Sequence, residues 1–256
     1  MNMKHSVLIL DHNREDEALK CLLSIRDLCK FDKKIYYLAN GNSEDYAFEF
    51  YKEGLIDVLL VNKENNGCGF GTMQLFQSCD TDYAFYIQCD QFLVHPLNQV
   101  DVDSFVEILK NDPKLAYIDL AGNQGHGVYS ERGQFINTKF YNSISKFGGG
   151  PGPFHHVQWT EETVQDYLKT KELTFVSVSP TVIADVGKWA VRQNPDGSKW
   201  KHRTDTKELH MISPPKEKYV YPYFTDEEWN QVLTKGIWED GKIPEREKPH
   251  SFNCWK

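Results

Sequence analysis

The sequence predicts an α/β protein built on a mostly parallel central sheet flanked by helices. Three observations carry that prediction. Four short apolar runs lie at 6–10, 35–39, 57–61 and 83–88. Helical patterns separate them, and strand alternating with helix is the signature of βαβ units. Each run also ends in a polar cluster, at the edge where open parallel sheets gather their ligands.

The first run, Ser6-Val7-Leu8-Ile9-Leu10, is a strand buried on both faces, stopped by Asp11-His12-Asn13. A helix follows over 15–29, with Ala18, Leu19, Leu22, Leu23, Ile25 and Leu28 on one face. The second strand, 35–39, closes in the turn-rich Asn40-Gly41-Asn42-Ser43. A helix fits 45–53. The third strand, 57–61, leads into the loop 65–72, and a helix fits 72–79. The fourth strand, 83–88, ends at Cys89-Asp90. Beyond it come a helix (104–110), a strand (115–120), a Gly-rich loop (147–154), a helix (161–171) and a strand (174–178). The stretch 186–256 is rich in aromatics, Pro and charge with weak periodicity, and reads as an irregular extension packed on the same domain.

Composition narrows the function classes. The 256 residues suffice for a real core, and an apolar share of 40% before counting the 17 Gly is that of a globular chain. No apolar run approaches the roughly 18–20 residues of a membrane span. The short apolar stretch at 7–10 is too brief for an export signal, so a cytoplasmic location is the expectation. None of the six cysteines (Cys21, Cys29, Cys68, Cys79, Cys89 and Cys254) forms a CxxC pair, which points to reduced, buried thiols rather than a zinc ribbon. The net charge is −8, spread unevenly. Residues 1–150 carry 14 basic and 21 acidic groups, 151–185 carry 2 and 5, and 186–256 carry 13 and 11. An acidic body disfavours non-specific nucleic-acid or membrane binding.

Several chemistries are absent. There is no GxxxxGK[ST] loop, HExxH or GxSxG, nor an HxE with a CxxC. Gly67-Cys68-Gly69-Phe70-Gly71 is GxGxG rather than the dinucleotide GxGxxG, and no acidic residue closes the second strand.

What is present resembles a family. Residues 6–14 followed by Leu19-Lys20-Cys21-Leu22-Leu23-Ser24-Ile25 are similar to the opening strand and helix of the family-two-like glycosyltransferases with the GT-A fold. Asn40-Gly41-Asn42-Ser43-Glu44-Asp45 resembles their second-strand loop. Asn66-Gly67-Cys68-Gly69-Phe70-Gly71-Thr72 resembles their Gly-rich helix start. Ile87-Gln88-Cys89-Asp90 falls where they place a metal-binding Asp-x-Asp. The four motifs occur in order over residues 5–100. At two places the chain departs from the pattern: Gln88 replaces the first Asp, and Asn40 or Ala39 replaces a base-contacting Asp.

The resemblance implies a GT-A-like domain over 1–185, with a nucleotide-sugar half at about 1–100 and an acceptor half at about 101–185; 186–256 would be the extension. It implies a nucleotide-diphospho sugar as donor and Mn2+ or Mg2+ as cofactor. Donor contacts would come from Asp11, Asn13, Asn40, Asn66, Gly67, Gly71, Gln88 and Asp90. Asp11 reads equally as a helix cap or as a partner of Arg14. Metal ligands would be Asp90 with His155 or His156; His202 and His210 are further candidates. Inverting transfer needs a carboxylate to take the acceptor's proton. Glu162, with Glu161 second, resembles the family's base at a helix start, and equally makes a good helix N-terminus. Gly149, Gly150 and Trp159 would face the acceptor, which is a glycan, a small molecule or a modified nucleic acid. The basic cluster Lys199, Lys201, His202 and Arg203 reads either as a diphosphate-neutralising group or as a solvated face. Two rival readings remain: a phage-type transferase acting on modified DNA bases, and a non-catalytic nucleotide-sugar-binding module.

Overall fold

The computed structural model describes residues 5–41, 43–121, 131, 133–144, 160–178, 182–193, 199–210 and 251–252. The first half follows the expected alternation. Strand β1 (His5–Asp11) leads to helix α1 (Glu15–Leu28), then a two-residue strand β2 (Cys29–Lys30), and then β3 (Lys33–Asn40), α2 (Glu44–Lys52), β4 (Val58–Asn62), α3 (Cys68–Ser78) and β5 (Tyr83–Gln88). After β5 come β6 (Gln91–Leu93), β7 (Leu97–Asn98), α4 (Gln99–Asn111), β8 (Leu115–Asp119), β9 (Gln134–Asn137) and α5 (Thr138–Asn142). The chain continues through α6 (Thr160–Thr170), β10 (Thr174–Val178), β11 (Ile183–Gln193), β12 (Lys199–His210) and β13 (Ser251–Phe252).

Eight strands form the main sheet in the order β13-β10-β8-β9-β5-β1-β3-β4. All its pairs are parallel except those of β9, which runs antiparallel to both β5 and β8. The period-two alternation of the strands splits the core between two faces. Val7, Ile9, Tyr37, Phe85 and Ile87 pack under α1, α2 and α4; Leu8, Leu10, Leu38 and Tyr86 pack under α3, α5 and α6. Burial on both faces explains why these strands read as unbroken apolar runs.

Three differences from expectation have physical causes. Helix α3 begins at Cys68 rather than at 72, because Gly67 takes a left-handed φ of +82° and serves as its N-cap. Helix α4 begins at Gln99 rather than at 104, where Asp101 reaches back to accept from the Asn98 N–H at 2.7 Å. Residues 199–210, expected to be irregular, run as β12, antiparallel to β11; β11 in turn pairs with β6. The expected boundary at 185/186 falls inside β11.

Register brings the strand ends level. Leu10 of β1 lies opposite Gln88 of β5, and Asp11 lies opposite Ala39 of β3. Asn40, ending β3, lies opposite Asn62, ending β4. The polar tips of four consecutive parallel strands thus share one edge of the sheet.

Candidate active site

At that edge lies a cavity of about 220 Å3. Its walls come from β1 and the turn after it (Leu10, His12, Arg14), the end of β3 (Asn40), the start of α3 (Asn65, Gly67, Cys68) and the end of β5 (Gln88, Cys89, Asp90). The volume is below the roughly 300–1,000 Å3 of a whole ligand pocket. A broader groove of about 900 Å3 lies between α1 and α2. Glu15, Glu44, Asp45 and Glu49 line it, an acidic surface that repels phosphate.

Asp90 sits in the tight turn between β5 and β6 and is 3% exposed. Its Oδ2 accepts from Arg14 Nη1 at 2.7 Å, an ion pair between residues 76 positions apart. Arg14 is itself positioned. Its backbone N–H donates to the Tyr46 hydroxyl at 2.9 Å, and that hydroxyl donates to Asp11 Oδ2 at 2.6 Å. Asp11 is buried at 1% exposure, and its described hydrogen bond is to Tyr46 rather than to Arg14 or to a helix cap. The loss of hydration, with the negative Asp11 beside it, pushes the Tyr46 hydroxyl up, so it stays a donor at all ordinary pH values.

Asn40 is the bracket of the cavity floor. Its amide nitrogen donates to Asn65 Oδ1 and to the Gly67 carbonyl, both at 3.1 Å. Its amide oxygen accepts from Asn62 Nδ2 at 3.0 Å and from the Asn66 N–H at 3.2 Å. An Asn side chain has two donors and about two acceptor sites, so Asn40 spends its whole capacity inside the protein. It shapes the cavity instead of reading a base. Asn40→Asp keeps the shape but loses both donors and sets a carboxylate against Asn65 Oδ1 and the Gly67 carbonyl. A loss of about 2–3 kcal/mol in urea unfolding is expected.

The other expected donor residues divide into two groups. Gly67 lines the cavity and starts α3, and the Asn66 backbone anchors the loop. Gln88 lines the cavity; its amide donates to Glu131 Oε2 at 3.3 Å, and its backbone N–H donates to Gln91 Oε1 at 3.1 Å. Gly71 serves packing: a Cβ there would stand 2.6 Å from Leu10 Cδ1 and 3.3 Å from Asn40 Nδ2, so glycine is what lets α3 lie on β1 and β3. Asn13 lines the acidic groove rather than the cavity and holds a left-handed φ of +54°. Glu161 and Glu162 fall in the first turn of α6. Lys199, Lys201, His202, Arg203 and His210 fall on β12, separated from β6 by β11. Gly149, Gly150, His155, His156 and Trp159 lie outside the described residues.

The cavity meets both signs of charge: Arg14 is paired with Asp90, and the Glu131 carboxylate stands against Cys68 and Gln88. Helices α1 and α2 carry Glu15, Asp16 and Glu17, and Glu44 and Asp45, in their first turns, which neutralise the positive ends of their dipoles. Helix α3, whose first turn opens on the cavity, has no acidic residue there. Three residues that sequence reasoning passed over as site groups stand in or against its lining. Arg14 is the cation. His12 donates through Nδ1 to the carbonyls of Asn40 and Gly41, 3.0 and 3.1 Å away, which leaves its Nε2 as the acceptor nitrogen of the neutral ring. Glu131 accepts from the Cys68 thiol at 3.1 Å. The Arg14–Asp90 separation in sequence hides their pairing; only the parallel register reveals it. Burial pushes the thiols of Cys21 and Cys89 well up and that of Cys29 to about 12; in half-buried Cys68 the loss of hydration and the Glu131 carboxylate act in the same direction.

No protein-family model matches the sequence, and no curated protein matches it. Solved structures do match. A mannosyltransferase from Pyrobaculum calidifontis, solved in complex with GDP-Man and Mn2+, superposes with a TM-score of 0.54 at 9% identity. The superposition covers 72% of this chain and 56% of that one, so this chain spans little more than half of that protein's length. The likeness is one of fold: this chain has a glycosyltransferase-type, GT-A-like α/β fold. Among the described residues no helix is long and apolar enough to cross a membrane.

Proposed function

We propose that this chain is a glycosyltransferase that moves a sugar from a nucleotide-diphospho sugar to an acceptor hydroxyl. The observation that carries the reading is the cavity at the carboxyl edge of the sheet. There the Asn-Gly turns, the N-terminus of α3 and the Arg14–Asp90 pair meet within a GT-A-like fold. The neighbour's complex with GDP-Man supports a nucleotide sugar as donor class.

In the proposed reaction the acceptor oxygen attacks the anomeric carbon, the bond from that carbon to the diphosphate oxygen breaks, and the nucleoside diphosphate leaves with the bonding electrons. The acceptor's proton goes to a carboxylate, for which Glu162, with Glu161 second, stands at the start of α6. Opposite-face attack gives inversion. Arg14 and the α3 N-terminus stabilise the charge that develops on the diphosphate. Gly149, Gly150 and Trp159 belong to the acceptor side of this reading, and residues 1–100 to the donor side. The acceptor class stays as broad as the sequence leaves it, and a cytoplasmic location belongs to the same proposal.

The neighbour's Mn2+ prompts a test of fit. A hard divalent cation needs several oxygen ligands. Among the described residues no group of three or more His, Cys, Asp or Glu side chains is placed to hold one. Asp90 is bound to Arg14, and position 88 carries a neutral amide. The described residues therefore do not fit Mn2+ or Mg2+, and no step is routed through a metal.

The experiment is a melting series with UDP, GDP and CDP, each with and without Mn2+. One of them at a hundredfold excess over its Kd should stabilise by about 2.7 kcal/mol, a rise of roughly 5–10 °C. No rise with any of them refutes the donor site. A rise without turnover of any nucleotide sugar favours the binding-module reading.

A further inference from the structure

We infer that Arg14, braced by Asp90, is the cation that grips the donor's diphosphate, so that nucleoside diphosphate binding needs no divalent metal. The inference rests on the donor-site reading above and adds to it which charge meets the phosphates.

A metal-binding pair of carboxylates presents two negative charges to a dication. Here Gln88 contributes none, the Glu131 carboxylate is held by the Cys68 thiol and the Gln88 amide at 3.1 and 3.3 Å, and the charge of Asp90 is met by Arg14 Nη1 at 2.7 Å. A dication on Asp90 would stand a few ångströms from a guanidinium, and like charges that close are strongly unfavourable in a partly buried site. The pair is well placed to persist. Asp90's side chain is 4% exposed and that of Arg14 27%, so water screens the ion pair little.

The geometry that fixes Arg14 points the same way. The Asp11–Tyr46 hydrogen bond ends on the Arg14 backbone N–H, and the residue before it, Asn13, is held through its N–H by Ser43 Oγ at 2.7 Å. A residue pinned at its backbone and at its guanidinium costs little further ordering when a ligand arrives. A guanidinium carries five N–H donors in a planar fork that suits phosphate oxygens, so holding Asp90 and gripping a diphosphate do not exclude one another. Arg14, Asp90 and the first residues of α3 line the same cavity, so the fork and the helix N-terminus approach one anion together.

The test is calorimetric titration of the full chain with UDP, GDP, CDP and ADP, in EDTA and again in Mn2+. For the nucleotide that binds, the dissociation constant in EDTA should lie within about threefold of that in Mn2+. Arg14→Gln should weaken binding in EDTA at least thirtyfold. Arg14→Lys, which keeps the charge and loses the fork, should weaken it roughly tenfold. Thermal melting of each variant separates loss of folding from loss of affinity. If either single variant fails to fold, the Arg14→Gln/Asp90→Asn pair, which keeps a neutral hydrogen bond in place of the ion pair, should fold and fail to bind in EDTA. Wild-type binding that collapses more than tenfold in EDTA and returns with Mn2+ overturns the inference and leaves the donor site standing. So does an Arg14→Gln protein that binds as wild type does. Binding of no nucleotide in either buffer overturns both.

Discussion

Asp90→Ala should abolish measurable sugar-nucleotide turnover, with a fall of at least about a hundredfold, the scale of losing one preorganised electrostatic contact to a developing anion. Asp90 closes β5, lies in the cavity and orients the guanidinium of Arg14. Without it, Arg14 loses the carboxylate that fixes its Nη1, and the approaching phosphates meet a less ordered charge. Part of the loss will be stability, because the substitution leaves a mostly buried guanidinium without its carboxylate. Breaking a fully buried pair costs about 3–5 kcal/mol, and the partial exposure of Arg14 brings the expectation down to about 1–3 kcal/mol. Asp90→Asn keeps an acceptor for Arg14 and should recover most of the melting temperature but little of the turnover. Wild-type turnover in either variant would remove Asp90 from the chemistry.

Gly41→Ala should be the most destabilising single-methyl change in the first half of the chain. Gly41 holds a φ of +81°, which costs an alanine about 1–2 kcal/mol. The added Cβ would also stand 2.5 Å from the Asn65 nitrogen and 2.8 Å from the Glu64 carbonyl carbon. Both are backbone atoms, so no side-chain rotation relieves the contact and the loop 64–67 must move. A total of about 3 kcal/mol or more is expected, a fall of roughly 6–12 °C in melting temperature. Nucleotide affinity should fall with it, because that loop carries Asn65 and Gly67. Gly54 supplies the control. It holds a φ of +73° with nothing within 4 Å of its Cβ position, so Gly54→Ala should cost only the backbone strain. Equal melting temperatures for the two variants would contradict the account of the loop.

The first half of the fold was legible because its strands are short apolar runs between clear turn signals, and polar residues at strand ends mark the ligand edge of any parallel sheet. The cavity was legible for the same reason: Asn40, Gly67, Gln88 and Asp90, named from sequence, all line it. Roles were less legible than places. Gly71 was expected among the donor contacts, whereas its missing Cβ makes room for Leu10. Asn40 looked like a base reader, whereas its four hydrogen bonds are internal. Both facts depend on what lies across the sheet, which no local pattern encodes. Arg14 is the clearest case, since its partner is 76 residues away. Strand β9 escaped notice because Gln134-Phe135-Ile136-Asn137 is too short to show a period. The β11–β12 hairpin did carry a signal in Pro195-Asp196-Gly197, a turn sequence between two stretches of strand-forming residues, but the charge of 199–210 obscured it.

The claim on which everything else depends is that the cavity beside Asp90 takes a diphosphate. A crystal structure of the chain with the nucleoside diphosphate that most raises its melting temperature tests this directly. The account predicts phosphate oxygens within hydrogen-bonding distance of the Arg14 guanidinium and of the first backbone N–H groups of α3, with Asn40 still bonded to Asn65. A nucleotide seated in the acidic groove between α1 and α2, or one whose phosphates lie away from Arg14 and Asp90, would contradict it.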